Sequence, residues 1–198
     1  EQQDVFYYIT VMNENYAQPD LLPGSELDII RGCYKYKHHQ KKNKAMNPSE
    51  VPTAKPLQLA SNVTLMGSGA ILNEVIQAGQ QLAEMAIDVT IFSVTSWSEL
   101  ARDGAATLNN ADTDTDTDAF ITQQLHASKG PIIAATDYVR AVPESIRAFI
   151  PPGRRYQTLG TDGFGRSDTR AALRAFFKVD AASIVTAALH QLAQHNSS

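Results

Sequence analysis

Hydrophobic residues follow a repeating pattern through the middle of the chain, in which a short continuous apolar run precedes residues with helical spacing. Short runs are typical of buried strands, and spaced apolar residues are typical of amphipathic helices. Strands are predicted over residues 62–66, 89–94, 132–135 and 156–159, and helices over residues 71–85, 97–106, 139–149, 169–177 and 181–194. Strands that alternate with helices predict an α/β fold, here a three-layer α/β/α domain around a mostly parallel mixed sheet of about five strands.

The first part of the chain has a different pattern. Residues 5–12 and 29–37 are rich in β-branched and aromatic residues and predict two strands, the second with one exposed face. Residues 38–56 are polar, with several lysines and prolines, and predict a flexible basic loop. The functional alternative for that loop is a docking patch for an anionic partner. We therefore expect a lead-in strand and linker over residues 1–28 and one domain over residues 29–198.

Composition narrows the class of protein. With 43% hydrophobic residues among 198, the chain can bury a substantial core. Its 17 basic and 21 acidic residues give a formal charge of −4, which argues against nucleic acid as a partner. No run of about 18 apolar residues is present, so no membrane span is expected. The single cysteine, Cys33, lies in an apolar run, which predicts a core residue and favours a reducing cytoplasm.

Two segments resemble ligand loops but lack required residues. Gly67-Ser68-Gly69 lies where a strand turns into a helix, but a dinucleotide fingerprint needs a third glycine where this chain has Leu72. The alternating aspartates of residues 112–118 imitate a calcium loop, whose sixth and twelfth positions are here Thr117 and Gln123 instead of glycine and glutamate. We therefore interpret residues 67–69 as a tight turn without a ligand. We interpret residues 112–118 as a solvated acidic loop that ends in a helix cap.

The segment 161–170 combines glycines with charges of alternating sign. Gly163 and Gly165 flank Phe164, and Ser167 or Asp168 is predicted to cap the following helix. The charged candidates for contacts with another domain or subunit are Asp162, Arg166, Asp168 and Arg170. These residues would form a charged clamp, that is, a set of ion pairs in which guanidinium groups bind carboxylates at the interface with the other domain or subunit. Bracing within the loop itself is the equally favoured alternative.

Catalytic motifs are missing from the sequence. Glu99, Arg102 and Asp103 are predicted to form the polar face of a short helix that Gly104 ends. Paired carboxylates need suitable neighbours for acid–base chemistry, and no such partner is recognisable beside them. The chain also has no Gly-x-Ser-x-Gly nucleophile elbow. We therefore assign no catalytic, cofactor-binding or metal-binding residue.

Four blocks of sequence, in this order and spacing, carry a resemblance to a known family. They are residues 4–16 (DVFYYITVMNENY), 65–72 (LMGSGAIL), 93–104 (SVTSWSELARDG) and 159–170 (LGTDGFGRSDTR). Together they resemble the C-terminal, third domain of homodimeric, bacterial-type pyruvate dehydrogenase E1 components, in the transketolase superfamily. Residues 35–56 and 105–129 depart from the family's usual sequence, which leaves the contacts of those loops open.

The resemblance implies a role for the larger protein. The full-length enzyme is expected to use thiamin diphosphate and Mg²⁺ to decarboxylate pyruvate and to acetylate the lipoyl group of an E2 acyltransferase reductively. The third domain is expected to support the N-terminal and middle domains and the dimer mate, while the cofactor binds elsewhere. The diphosphate motif of the first domain is missing, because Asn109-Asn110 has no upstream Gly-Asp-Gly. No cofactor is therefore expected on this chain alone.

Other interpretations remain open. The chain begins without a methionine and leads directly into a predicted strand, so we expect a fragment. One alternative function is a stand-alone module that binds a small anionic ligand in the crevice near residues 67–69 and 162–166. Another is a relative that acts on α-ketoglutarate or branched-chain oxo acids, although the four blocks resemble the pyruvate enzyme better.

Overall fold

A computed structural model describes residues 4, 6, 15–17, 20–40, 62–109 and 118–195 of the chain. Five strands form one sheet: β1 (Cys33–His39), β2 (Asn62–Gly67), β3 (Asp88–Val94), β4 (Ile132–Ala135) and β5 (Tyr156–Leu159). The α-helices are α1 (Glu26–Ile30), α2 (Ile71–Glu84), α3 (Trp97–Asn109), α4 (Phe120–His126), α5 (Ala141–Glu144), α6 (Arg170–Phe177) and α7 (Ala181–His195). None of the helices in these ranges is long and apolar enough to cross a membrane.

The sheet has the strand order β1-β3-β2-β4-β5. Strands β3, β2, β4 and β5 are parallel, and β1 pairs antiparallel with β3 at one edge. The mostly parallel five-stranded sheet predicted from the sequence is thus confirmed. From β2 the chain crosses outward to β3 and then returns past β2 to β4. The carboxyl ends of β2 and β4 therefore form a topological switch point, where an open α/β sheet leaves a crevice.

Alternate residues of the strands enter two separate cores, one on each face of the sheet. On one face α2 and α7 pack on Val63, Leu65 and Ile133. On the other face α3 and α4 pack on Met66, Phe92 and Ile132. Helices on both faces confirm the predicted three-layer architecture. The three layers were predicted from continuous apolar runs in the sequence, which are typical of parallel strands buried on both faces of a sheet.

Cys33 belongs to the second core, as predicted. Its side chain is fully buried, and burial raises the pKa of the thiol above its ordinary value. Lys35 and Lys37 are exposed, in agreement with the predicted exposed face of this strand. A shift in the pairing register between Lys35 and Lys37 interrupts the strict alternation of β1.

The predicted strand over residues 29–37 begins too early. Ile29 and Ile30 end helix α1, and the strand starts at Cys33. The carbonyl of Gly32 accepts hydrogen bonds from the amides of Thr95 and Ser96, at 2.9 and 3.1 Å, which fixes the turn between the two elements. Helix α1 contains residues 28 and 29, between which the sequence analysis placed the domain boundary. The division into residues 1–28 and 29–198 stays a prediction.

The predicted basic loop also starts too early. His38 and His39 are the last residues of β1 and pair with Thr90 and Val89 of β3, and His38 Nδ1 lies 3.2 Å from Thr90 Oγ1. Most of the loop lies outside the described residues. Most of the strand predicted over residues 5–12 and residues 112–117 of the aspartate-rich segment also lie outside them.

Two helix predictions are corrected by long-range packing. Helix α3 continues through Gly104 to Asn109. Gly104 lies inside the helix because the ring of Phe149 occupies the space that a side chain at position 104 would need. The helix predicted over residues 139–149 is instead α5 followed by a 3₁₀ turn, Arg147–Phe149. Pro143 cannot donate a helical hydrogen bond, and its carbonyl accepts from the Tyr156 hydroxyl of β5 at 2.6 Å.

Candidate functional site

The carboxyl ends of β2, β3, β4 and β5 form one edge of the sheet, which we call the carboxyl edge. Openings lined by described residues lie along it. The switch-point crevice, of about 450 Å³, lies between residues 68–70, 94–98 and 137–138. A cavity of about 290 Å³ lies between the start of α2, the 161–166 loop and α6. A groove of about 400 Å³ follows residues 157–160 to Phe176 and Lys178.

Asp162 is held within the domain. Its Oδ1 accepts a hydrogen bond from the Arg140 amide at 2.8 Å, and its Oδ2 accepts from Arg140 Nε at 2.5 Å. The hydrogen bonds from the Arg140 amide and guanidinium hold the pKa of the Asp162 carboxyl below its ordinary value. The geometry therefore favours bracing between the β5–α6 loop and the start of α5 for this residue.

The other three predicted contact residues take different positions. Asp168 Oδ1 accepts from the Thr169 amide at 2.7 Å, and Thr169 Oγ1 accepts from the Ala172 amide at 3.3 Å. Thr169 is therefore the cap of α6, and the predicted caps Ser167 and Asp168 are wrong by one or two residues.

The Arg166 guanidinium lies 4.0 Å from the centre of the Phe176 ring, a cation–π geometry, and Arg166 and Arg170 both line the 290 Å³ cavity.

A more buried ion pair joins the helices on this edge. Glu74 Oε1 accepts from Arg174 Nη1 at 3.0 Å, and Glu74 Oε2 accepts from the Ala181 amide that opens α7 at 3.0 Å. Arg174 Nη2 donates to the Tyr16 hydroxyl at 2.7 Å. One carboxylate thus joins α2, α6 and α7, and Arg174 joins them to the lead-in segment.

Two side chains that the sequence analysis did not select stand out on the carboxyl edge. Phe164 is 96% exposed, at the tip of a loop where Gly163 has a φ of +92°. Asp137 lines both the crevice and the 290 Å³ cavity, and its carboxylate has no hydrogen-bond or ionic partner among the described residues. A phenylalanine between two glycines in a polar loop was the available signal for Phe164. Asp137 had none, because its position depends on how β4 meets β2.

The pH response of Asp162 provides a test of the bracing. A carboxyl whose pKa is lowered in the fold contributes its stabilisation above its ordinary pKa of about 4 and loses it as the pH falls through the folded value. We expect the Arg140 amide shift, followed by NMR, to titrate below the ordinary aspartate pKa. The Asp162→Asn variant is the control and should show no such step. A titration at the ordinary value would contradict the bracing.

Comparisons with known proteins add to this geometry. Residues 53–180 match the family model of the transketolase-like TK C-terminal domain. The chain is 42% identical over its full length to the pyruvate dehydrogenase E1 component of Cupriavidus necator, of which it covers 21%. It is 42% identical over 98% of its length to the same component of Pseudomonas aeruginosa, of which it covers 20%. The chain thus spans about a fifth of these relatives.

Solved structures support the same fold. The transketolase of Leishmania mexicana matches with a TM-score of 0.51 and 16% identity, over 87% of this chain and 20% of that one. The transketolase of Campylobacter jejuni matches with a TM-score of 0.51 and 15% identity, over 82% of this chain and 19% of that one. Given the family match over most of its length and the shared sheet, the chain belongs to the transketolase-like C-terminal domain family.

Proposed function

We propose that this chain is the C-terminal domain of a pyruvate dehydrogenase E1 component. The observation that carries the proposal is the 42% identity from end to end with E1 components of which the chain covers only 21%. Under this proposal the parent decarboxylates pyruvate and reductively acetylates the lipoyl group of its E2 acyltransferase partner, in the cytoplasm. The domain's own contribution is architectural: it supports the preceding domains and the homodimer.

The cofactors belong to the parent in this proposal. Thiamin diphosphate with Mg²⁺ would supply the chemistry that cleaves the bond to the carboxylate of a 2-oxo acid. Among the described residues, no group of three or more His, Cys, Asp or Glu side chains is placed to hold a metal ion. We derive no catalytic step through this chain, and the role we propose for it is that of a supporting domain.

The four residues of the 161–170 segment remain proposed contacts to another domain or to the dimer mate. Arg166 and Arg170 are the better supported, since both line an open cavity on the carboxyl edge. Asp162 and Asp168 accept hydrogen bonds from their own domain, so they would act by holding the loop in position. The alternative, an anionic ligand near residues 67–69 and 162–166, stays a prediction. Asp137 is the one charged side chain among the described residues that line the switch-point crevice, whereas Arg166, Arg170 and Arg174 line the 290 Å³ cavity beside it.

A chimera tests the proposed function. We expect that replacing the corresponding C-terminal fifth of the Cupriavidus necator E1 component with this chain leaves pyruvate-dependent decarboxylation within about tenfold of the natural enzyme, since a supporting domain changes the barrier little. The matched control is the same enzyme cut before the replaced segment, which should lose activity. A chimera that is dimeric and folded but inactive would contradict the assignment.

Calorimetry on the chain supplies an independent check. Once circular dichroism has established that the chain is folded, we expect no heat of binding when it is titrated with thiamin diphosphate and Mg²⁺. Stoichiometric binding would place a cofactor site on these residues and would overturn the supporting role.

A further inference from the structure

The 290 Å³ cavity beside α6 combines an apolar lining with charged side chains of both signs. Arg166 of the β5–α6 loop and Asp137 of the turn after β4 both line it. Its large apolar lining residues are Ile71, Leu173, Phe177 and Val179. Small-molecule sites are mostly apolar pockets with a few polar groups, and their volumes are about 300–1,000 Å³. This cavity lies at the lower end of that range, so a ligand that fits it is small.

The two opposite charges in this cavity do not pair with each other. Arg166 has no hydrogen bond or ion pair among the described residues, and its guanidinium lies 4.0 Å from the centre of the Phe176 ring. A guanidinium stacked on a ring keeps its in-plane N–H donors available. The Asp137 carboxylate also has no partner among the described residues. Its oxygens lie 3.7 and 3.9 Å from a Cβ built on Gly69, which places them beside the start of α2.

The other two arginines of the cavity have a different role. Arg174 Nη1 donates to Glu74 at 3.0 Å, and Nη2 donates to the Tyr16 hydroxyl at 2.7 Å. Those bonds leave Arg174 fewer donors for a ligand, although its charge still acts on the cavity. Arg170 adds a further positive charge to the lining. Arg166 is therefore the best-placed donor for a ligand carboxylate.

The loop that carries Arg166 is constrained at both ends. Thr161 Oγ1 donates to the Asp137 carbonyl at 2.7 Å, and the Thr161 amide donates to the Tyr138 carbonyl at 2.9 Å. At the other end, Arg166 stacks on Phe176 of α6. These contacts join the wall that carries Arg166 to the wall that carries Asp137. Such preorganisation reduces the entropy that is lost when a ligand binds.

We propose that this cavity binds a free α-amino acid with an apolar side chain. In this arrangement the α-carboxylate accepts hydrogen bonds from Arg166, and the α-ammonium donates to the Asp137 carboxylate. The side chain of the amino acid packs on Ile71 and Leu173. A zwitterion satisfies both unpaired charges, whereas a simple anion meets the like charge of Asp137 and a simple cation meets that of Arg166. The site is formed by this chain alone and goes beyond the proposed function.

Methyl NMR on the full 198-residue chain tests the site with L-leucine as the probe. In a chain with isotope-labelled methyl groups, leucine should shift the signals of Ile71, Leu173 and Val179 in a saturable way. The signals of Ile121 and Leu125, which lie in the core on the other face of the sheet, should not move. Failure of leucine to give saturable shifts at the first three residues would overturn the proposal.

Two analogues of leucine test the need for both charges. Isocaproate has the same apolar body without the ammonium group, and isoamylamine has it without the carboxylate. Each should bind about tenfold more weakly than leucine, since one charge-assisted hydrogen bond is lost. An analogue that binds as tightly as leucine would refute the zwitterion as the ligand class.

Two variants assign the ends of the ligand. Arg166→Gln should weaken leucine and isocaproate alike by about tenfold, because both lose their carboxylate partner. Asp137→Asn should weaken leucine by about tenfold but tighten isocaproate by about threefold, because a like charge is removed. A general loss of structure would weaken both ligands and cannot produce these opposite changes.

An arginine outside the cavity supplies the matched control. Arg102 is exposed on the surface of α3, so Arg102→Gln should leave both affinities unchanged. Leucine affinity that is the same in the unaltered chain and in Arg166→Gln or Asp137→Asn would remove that residue from the site and overturn the proposal.

These outcomes are distinguishable from those of the proposed function. If the chain binds leucine but its chimera is inactive toward pyruvate, the assigned reaction is refuted and the amino-acid site is retained. If the chimera is active but leucine gives no saturable shift, the amino-acid site alone is refuted.

Discussion

The variant Gly130→Ala should lose about 3 kcal/mol or more of the free energy of unfolding, measured by urea denaturation. A Cβ on Gly130 would stand 1.7 Å from the Asn62 carbonyl oxygen, where β2 begins. Neither backbone can yield without disturbing a sheet buried on both faces. The residue also has a φ of +75°, which alone costs an alanine about 1–2 kcal/mol.

The matched control separates the collision from the backbone cost. Gly153 has a φ of +77°, but no atom lies within 4 Å of a Cβ built on it. Gly153→Ala should therefore lose only about 1–2 kcal/mol. If the two variants unfold at the same urea concentration, the close approach of Gly130 to β2 is not a determinant of stability.

The variant Glu74→Ala should also have a large effect. We expect it to lose about 3 kcal/mol of the free energy of unfolding, measured by urea denaturation. The change leaves the Arg174 guanidinium, whose side chain is 18% exposed, without its carboxylate. It also removes the acceptor for the Ala181 amide at the start of α7. Removal of one partner from a buried pair is costly, because the remaining charge stays desolvated.

An exposed ion pair is the control for this variant. Glu99 and Arg102 pair on the surface of α3, with side chains 37% and 74% exposed. Glu99→Ala should cost less than about 0.5 kcal/mol. Equal losses for Glu74→Ala and Glu99→Ala would contradict the role assigned to the Glu74 junction.

Local sequence patterns correctly predicted the amphipathic helices and the strands that are buried on both faces of the sheet. Strand β4 (Ile132–Ala135) was predicted with its observed bounds, because a short continuous apolar run is typical of a strand buried on both faces of a parallel sheet. The patterns failed where a distant residue decides the outcome. Phe149 packs on Gly104, and Tyr156 binds the carbonyl of Pro143, so a predicted helix end and a predicted continuous helix were both wrong.

At the candidate site, too, local sequence identified some features, while others depend on contacts between distant parts of the chain. The glycines and charges of residues 161–170 identified the loop, but the sequence could not assign their partners. Asp162 pairs with Arg140, 22 residues away along the chain, and this pairing exists only once β4 and β5 are adjacent. Asp137 was missed because nothing local distinguishes it from any other aspartate after a strand.

Helix α6 has a consequence for dynamics. None of its side chains is fully buried, and it ends at Lys178 in a left-handed conformation with a φ of +58°. Segments with few buried apolar contacts open at low free energy while the surrounding core stays closed. Backbone amides of α6 should therefore exchange with deuterium far sooner than those of β2 and β4.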